Sequence, residues 1–199
     1  MTLTEDDVDP DPFVQLARWY EEAVTAIADE ADHMVVATSD VDGRPSARVV
    51  LLRGFDARGL CFYTNYESRK GHELSVNPRA AVLLHWAALH RQVRATGTVS
   101  RLGPTESEKY WRNRPRASQL SAWASHQSEP VPSRAVLEAE VERLAARFAD
   151  DEVPLPPFWG GFRIAPSDFE FWEHRDDRLH DRLRYRKEEG GWALERLAP

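Results

Sequence analysis

The sequence predicts a mainly β fold of the α+β class, with antiparallel strands closed or partly closed into a barrel and helices at its periphery. Two observations carry this reading. Six or more segments alternate apolar and polar residues with a period of two, and tight-turn signals such as Asp42-Gly43 and Gly190-Gly191 separate them. Amphipathic stretches of helical period lie before and between these strands. No internal repeat or low-complexity segment interrupts the pattern, and 199 residues suit one domain, residues 1–199, with residues 1–11 as a flexible acidic arm.

After the arm, Phe13, Leu16, Tyr20, Val24 and Ile27 recur at helical spacing, predicting a helix over about residues 11–30. Strands follow over residues 33–39 and 46–55, joined by the turn at Asp42-Gly43. A second turn, Asp56-Ala57-Arg58-Gly59, leads to a strand over 60–65. Residues 68–76 read as a short helix stopped by Asn77-Pro78, before strands over 80–89 and 92–102. Pro104 and the Thr105/Glu108 spacing mark a helix start, and Pro115 ends that helix near Arg114. A longer helix over 133–149 turns Val136, Leu137, Val141, Leu144 and Phe148 inward. The proline-rich connector 153–157 leads to closing strands over 161–172, 178–185 and 192–197.

The formal net charge of −7 excludes a general surface for nucleic acid or anionic membrane, which needs an excess of Lys and Arg. The chain has no apolar run of membrane-spanning length, and its first residues are acidic rather than basic and then apolar. A soluble, cytoplasmic protein is expected. Cys61 is the sole cysteine, so an internal disulfide is excluded, and its setting Leu60-Cys61-Phe62-Tyr63 reads as a buried strand position. The seven histidines show no ligand spacing, so no metal site is expected. No P-loop, G-x-S-x-G or G-x-G-x-x-G motif is present.

Four groups of residues suit an anionic ligand. Read as one strand, Arg178-Leu179-His180-Asp181-Arg182-Leu183 places Arg178, His180 and Arg182 on one face. It also reads as an exposed face balanced by Asp176, Asp177 and Asp181. Ser68-Arg69-Lys70 stands at a helix start, where free N–H groups and the helix dipole favour a phosphate, although an Arg-Lys pair can equally be solvated surface. Arg48 and Arg53 bracket the apolar run Val49-Val50-Leu51-Leu52. Strand parity puts them on opposite faces, so a bulge, two ligands or a site shared between subunits is needed to use both. Tyr110, Arg114 and Ser118 fall at i, i+4 and i+8, a stripe of phosphate donors or an exposed helix face. Gln92, Gln127-Ser128 and Trp172 give weaker signals on their own.

These segments together resemble the pyridoxine (pyridoxamine) 5'-phosphate oxidase family. The resemblance runs from about residue 10 to Pro199 and is carried by Arg48-Val49-Val50-Leu51-Leu52-Arg53, Phe62-Tyr63-Thr64-Asn65 with Ser68-Arg69-Lys70, Arg91-Gln92-Val93, the run from Tyr110 to Gln119, Gln127-Ser128, Phe158-Trp159-Gly160-Gly161 and Phe171-Trp172 with Arg178-Leu179-His180-Asp181-Arg182. It implies an FMN-binding split β-barrel, and a homodimer with FMN at the subunit interface. It assigns FMN to Arg48, Val49, Val50, Leu51, Tyr63, Thr64, Arg69, Lys70, Gln92, Gln127, Ser128, Trp172 and Arg182. Substrate phosphate goes to Tyr110, Arg114 and Ser118, with Arg53 also touching substrate, while Arg178 and His180 face the pyridine ring and the carbon being oxidised.

The implied activity is oxidation of pyridoxine or pyridoxamine 5'-phosphate to pyridoxal 5'-phosphate, with O2 reduced to H2O2. Two features depart from the family. Arg53 stands where the family usually has Lys, and an N-terminal extension that supplies Arg and Tyr over the substrate has no counterpart in residues 1–11. A flavin oxidase of the phenazine-biosynthesis type, or a non-catalytic flavin-binding module, are the rival readings.

Overall fold

In the computed structural model, residues 3–199 are described, and they fold as a curled antiparallel sheet of nine strands with five α-helices around it. Helix α1 (Pro12–Ile27) starts where Asp11 accepts the Phe13 N–H at 2.9 Å, and a 3₁₀ turn follows it. It buries Phe13, Leu16, Trp19 and Ala23 against the sheet, whereas Val24, expected inward, is 44% exposed. Strands β1 (His33–Ser39) and β2 (Pro45–Leu51) form the expected hairpin, with Gly43 at φ +80° in the turn. β3 (Gly54–Asp56) and β4 (Gly59–Asn65) form the next. Helix α2 (Arg69–Val76) leads to β5 (Arg79–Trp86), which turns tightly into β6 (Arg91–Arg101).

Helices α3 (Pro104–Arg112), α4 (Arg116–Ala124) and α5 (Arg134–Phe148) precede β7 (Trp159–Glu173), β8 (Asp181–Glu188) and β9 (Gly191–Arg196). The strand order is β2-β1-β5-β6-β7-β4-β3. With 15 residues, β7 pairs β4 along its first half and β8 along its second, while β6 runs beside both. A register shift between Thr96 and Gly97 bends the β6–β7 ladder, and a Cβ at Gly97 would lie 2.1 Å from the Ala165 carbonyl oxygen. One core, including Leu16, Met34, Trp86, Phe169, Phe171 and Tyr185, lies under α1. A smaller one, around Trp111, Leu144, Phe148 and Trp159, joins α3, α4 and α5 to the sheet.

Several expectations need correction. The strand expected over 178–185 begins only at Asp181. Leu179 N–H bonds to Asp177 Oδ1 at 2.9 Å, Arg178 N–H bonds to the Arg175 carbonyl at 3.1 Å, and Arg178 takes φ +65°. These local bonds replace a sheet ladder, so Arg178, His180 and Arg182 do not share a strand face. The strand expected over 46–55 ends at Leu51: Leu52 N–H still meets the Asp32 carbonyl in register with β1, but Arg53 N–H passes to the Cys61 carbonyl of β4, each at 2.8 Å. Pro115 both ends one helix and caps the start of α4, which the sequence reading did not foresee. Gly103, not Thr105, is the N-cap of α3, so no capping box forms.

Val136 is 49% exposed, because only the C-terminal half of α5 reaches the core. The arm expected to be flexible is docked over residues 3–11: Leu3 and Val8 are buried, and the Tyr185 hydroxyl donates to the Asp9 carbonyl at 2.6 Å. Met1 and Thr2 lie outside the described residues. No described helix is long and apolar enough to cross a membrane.

Candidate active site

The break after β2 positions the site. Because the chain leaves the β1 ladder after Leu52, the parity that separated Arg48 from Arg53 no longer holds, and both line one cleft of about 690 Å³. Val49, Val50 and Leu51 complete that wall, and β4 contributes Tyr63 and Thr64.

The start of α2 forms the second wall. Ser68 caps the helix, and Gly71 lets it sit against the end of β4, where a Cβ would lie 2.0 Å from the Tyr66 carbonyl oxygen. Lys70 is buried, and its Nζ donates to Gln127 Oε1 at 2.8 Å, Thr64 Oγ1 at 3.0 Å and Ser68 Oγ at 3.2 Å. These acceptors are neutral. Burial, with the Arg48 charge nearby, therefore brings the Lys70 pKa down to about 8 despite Glu73. The Arg69 N–H reaches Ser128 Oγ at 3.2 Å, with Ser128 at φ +79°.

Arg48 donates to Thr38 Oγ1 at 2.6 Å, to the Val36 carbonyl, to Ser46 and to Glu73 Oε2 at 3.3 Å. The Glu73 carboxylate also accepts from Arg69 Nε at 2.8 Å, from Ser46 at 2.6 Å and from Thr38. Burial pushes Glu73 up, but the bonds from Ser46, Thr38, Arg69 and Arg48 outweigh it and hold the group at about 2. Sequence reasoning missed Glu73. Its signal was the i, i+4 spacing from Arg69; its links to β1 and β2 had none.

Tyr110 at the end of α3, Arg114 in the turn after it and Ser118 in the first turn of α4 face the cleft. The Tyr110 ring stacks on Tyr63 with centroids 3.8 Å apart and an angle of 8°, and burial pushes Tyr63 up to about 12. Arg114 lies 4.7 Å over the Trp159 ring, and its Nη2 donates to the Ser118 carbonyl at 3.2 Å. Burial lowers the Arg114 pKa, and its buried Nε has no hydrogen-bond partner among the described residues. Arg53 Nη1 is held by Asp32 Oδ2.

Five of the predicted residues form a second group that does not line this cleft. Gln92, Trp172 and Arg182 are direct partners across β6, β7 and β8, which puts their side chains in one row on one face. Arg182 donates to Glu170, 1% exposed, at 2.8 and 3.1 Å. The His180 ring lies 4.8 Å from Trp172, and its Nδ1 accepts from the Arg175 N–H at 3.0 Å. Arg178 is exposed in the loop before β8.

A family model described as pyridoxamine 5'-phosphate oxidase matches residues 20–148, and one described as the pyridoxine 5'-phosphate oxidase C-terminal dimerisation region matches residues 159–199. The pyridoxine/pyridoxamine 5'-phosphate oxidase of Rubrobacter xylanophilus is 54% identical over 99% of this chain and 91% of its own length. That of Bordetella petrii is 51% identical over 100% and 94%. The crystal structure of PhzG from Burkholderia lata 383 in complex with tetrahydrophenazine-1-carboxylic acid superposes with a TM-score of 0.93 at 35% identity, covering 100% of this chain and 98% of that one. A pyridoxamine 5'-phosphate oxidase-related, FMN binding protein from Nostoc punctiforme shares the fold, with a TM-score of 0.75 at 17% identity over 94% of this chain and 97% of that one. The chain belongs to the pyridoxine/pyridoxamine 5'-phosphate oxidase family, FMN-dependent oxidoreductases built on a split β-barrel.

Proposed function

We propose that this protein oxidises pyridoxine 5'-phosphate or pyridoxamine 5'-phosphate to pyridoxal 5'-phosphate, passing the electrons through FMN to O2 and releasing H2O2. The observation that carries the proposal is a cleft with two separate sets of phosphate donors. Arg48 of the β2 wall and Lys70 of the α2 wall form one set, with Arg69 beside them, and Tyr110, Arg114 and Ser118 form the other. A flavin phosphate fits the first set. Lys70 is a buried ammonium with neutral acceptors and a depressed pKa, so an anion beside it restores the charged form that burial disfavours. A substrate phosphate fits the second, where the buried Arg114 Nε has a donor to give.

When bound, FMN supplies the hydride acceptor and the reactivity toward O2. Arg48, Arg69 and Lys70, with Gln127 and Ser128, hold its phosphate end, while Val49 to Leu51, Tyr63 and Thr64 form the wall beside it. Tyr110, Arg114, Ser118 and Arg53 hold the substrate phosphate and so fix C4' in the cleft. Gln92, Trp172 and Arg182 are cofactor contacts, and Arg178 and His180 cover the substrate ring. Because these five lie away from the cleft of their own chain, they act in the cleft of a second subunit of a homodimer. The match of residues 159–199 to a dimerisation region, which contains four of the five, supports this arrangement.

The likeness to PhzG, together with Arg53, favours a second reading: oxidation of a phosphate-free phenazine precursor. H2O2 release measured with pyridoxine 5'-phosphate and with unphosphorylated pyridoxine separates the two. Strong preference for the phosphorylated vitamer is expected, and equal kinetics for both would reject the phosphate site.

A further inference from the structure

Glu73 sits within α2, 5% exposed, and its carboxylate is enclosed by donors from three elements: Thr38 of β1, Ser46 and Arg48 of β2, and Arg69 of α2. Two of these donors are guanidinium groups that approach from different elements. Oε2 takes Arg48 at 3.3 Å, and Oε1 takes Arg69 at 2.8 Å. One buried carboxylate thus spans the gap between a strand and a helix start. Lys70, the next residue on α2, turns away to Thr64, Ser68 and Gln127. The Arg69 side chain is 60% exposed, and its ion pair with Glu73 restrains a group that otherwise samples solvent.

We propose that Glu73 is a positioning residue for the flavin phosphate: it fixes the Arg48 and Arg69 guanidinium groups relative to each other, so that the phosphate meets a preformed pair of cations. The inference rests on the reading of Arg48 and Arg69 as phosphate ligands. A carboxylate near a phosphate also repels it, so the sign of its net effect decides between positioning and simple repulsion. Positioning acts only on ligands that carry the phosphate.

The test compares dissociation constants of FMN and riboflavin, read by flavin fluorescence, for the full-length flavin-free protein, Glu73→Ala and Glu73→Gln. Glu73→Ala is expected to weaken FMN about ten-fold or more, the scale of one lost charge-assisted hydrogen bond, and to leave riboflavin within about two-fold. Glu73→Gln keeps one acceptor oxygen and loses the other, so it should fall between wild type and Glu73→Ala. Equal losses for both flavins, tighter FMN binding in Glu73→Ala, or a Glu73→Gln no better than Glu73→Ala would each overturn the proposal. A wild type that does not prefer FMN to riboflavin would instead remove the phosphate reading of Arg48 and Arg69 beneath it.

Discussion

Arg53, which lines the cleft, forms an ion pair with Asp32, Nη1 to Oδ2 at 2.8 Å, and the Asp32 backbone carbonyl accepts the N–H of Leu52 at 2.8 Å. Asp32 therefore holds both the side chain of Arg53 and the backbone just before it, at the point where β2 breaks. A guanidinium can keep one nitrogen on Asp32 and offer others to a ligand. An ammonium is a single point charge.

Arg53→Lys is expected to retain oxidation of pyridoxine 5'-phosphate within about ten-fold, or roughly 1.4 kcal/mol, while Arg53→Ala loses considerably more. Steady-state H2O2 release decides it. A gain of activity in Arg53→Lys over an inactive wild type would mean the cleft is tuned for another substrate.

Arg114→Ala should raise the KM for the phosphorylated substrate with a smaller change in kcat, because Tyr110 and Ser118 remain and flavin binding does not involve them. Loss of flavin from this variant would contradict the separation of the two donor sets.

The depressed pKa of Lys70 sets a pH dependence. In the folded, flavin-free protein the group titrates near 8 instead of 10.5, so the unfolded chain binds more protons between those values and stability rises with pH across that window. Flavin binding runs the other way. An anion needs the ammonium, so above about pH 8 binding takes up a proton and FMN affinity falls. Calorimetry in buffers of different ionisation enthalpy should detect this uptake, and Lys70→Met should abolish it.

Gly71→Ala tests the packing of the helix start. Replacing Gly by Ala inside a helix ordinarily gains about 1 kcal/mol. Here the new Cβ would lie 2.0 Å from the Tyr66 carbonyl oxygen, so the start of α2 must move, carrying Arg69 and Lys70 with it. Lower thermal stability together with weaker FMN binding is expected, and a more stable variant with unchanged binding would refute the close approach.

Local patterns made much of this fold legible. β1 over His33–Ser39 and the Ser68-capped α2 follow from alternation and from a start-and-stop signal that neighbouring residues contain. The strand reading failed where other acceptors competed with the ladder. The Asp177 carboxylate captures the Leu179 N–H, while at the end of β2 the Arg53 N–H passes to the Cys61 carbonyl of β4, and neither trade is visible in a pattern of apolar residues. The cleft shows the same limit. Arg48, Lys70 and Arg114 carry a chemical type that suggests phosphate, but Glu73, Asp32 and Glu170 act through partners far away in sequence. Glu170 binds Arg94 and Arg182 from the next strands, 76 and 12 residues away, and only the sheet register brings them together.

The most direct measurement is anaerobic: the FMN-loaded protein is mixed with pyridoxine 5'-phosphate and the flavin absorbance is followed. Bleaching of the oxidised band with stoichiometric formation of pyridoxal 5'-phosphate, and recovery of the band with H2O2 release when O2 is admitted, is the expected result. Bound FMN that stays oxidised with saturating pyridoxine or pyridoxamine 5'-phosphate would contradict the proposed activity. Reduction by tetrahydrophenazine-1-carboxylic acid in its place would assign the cleft to the second reading.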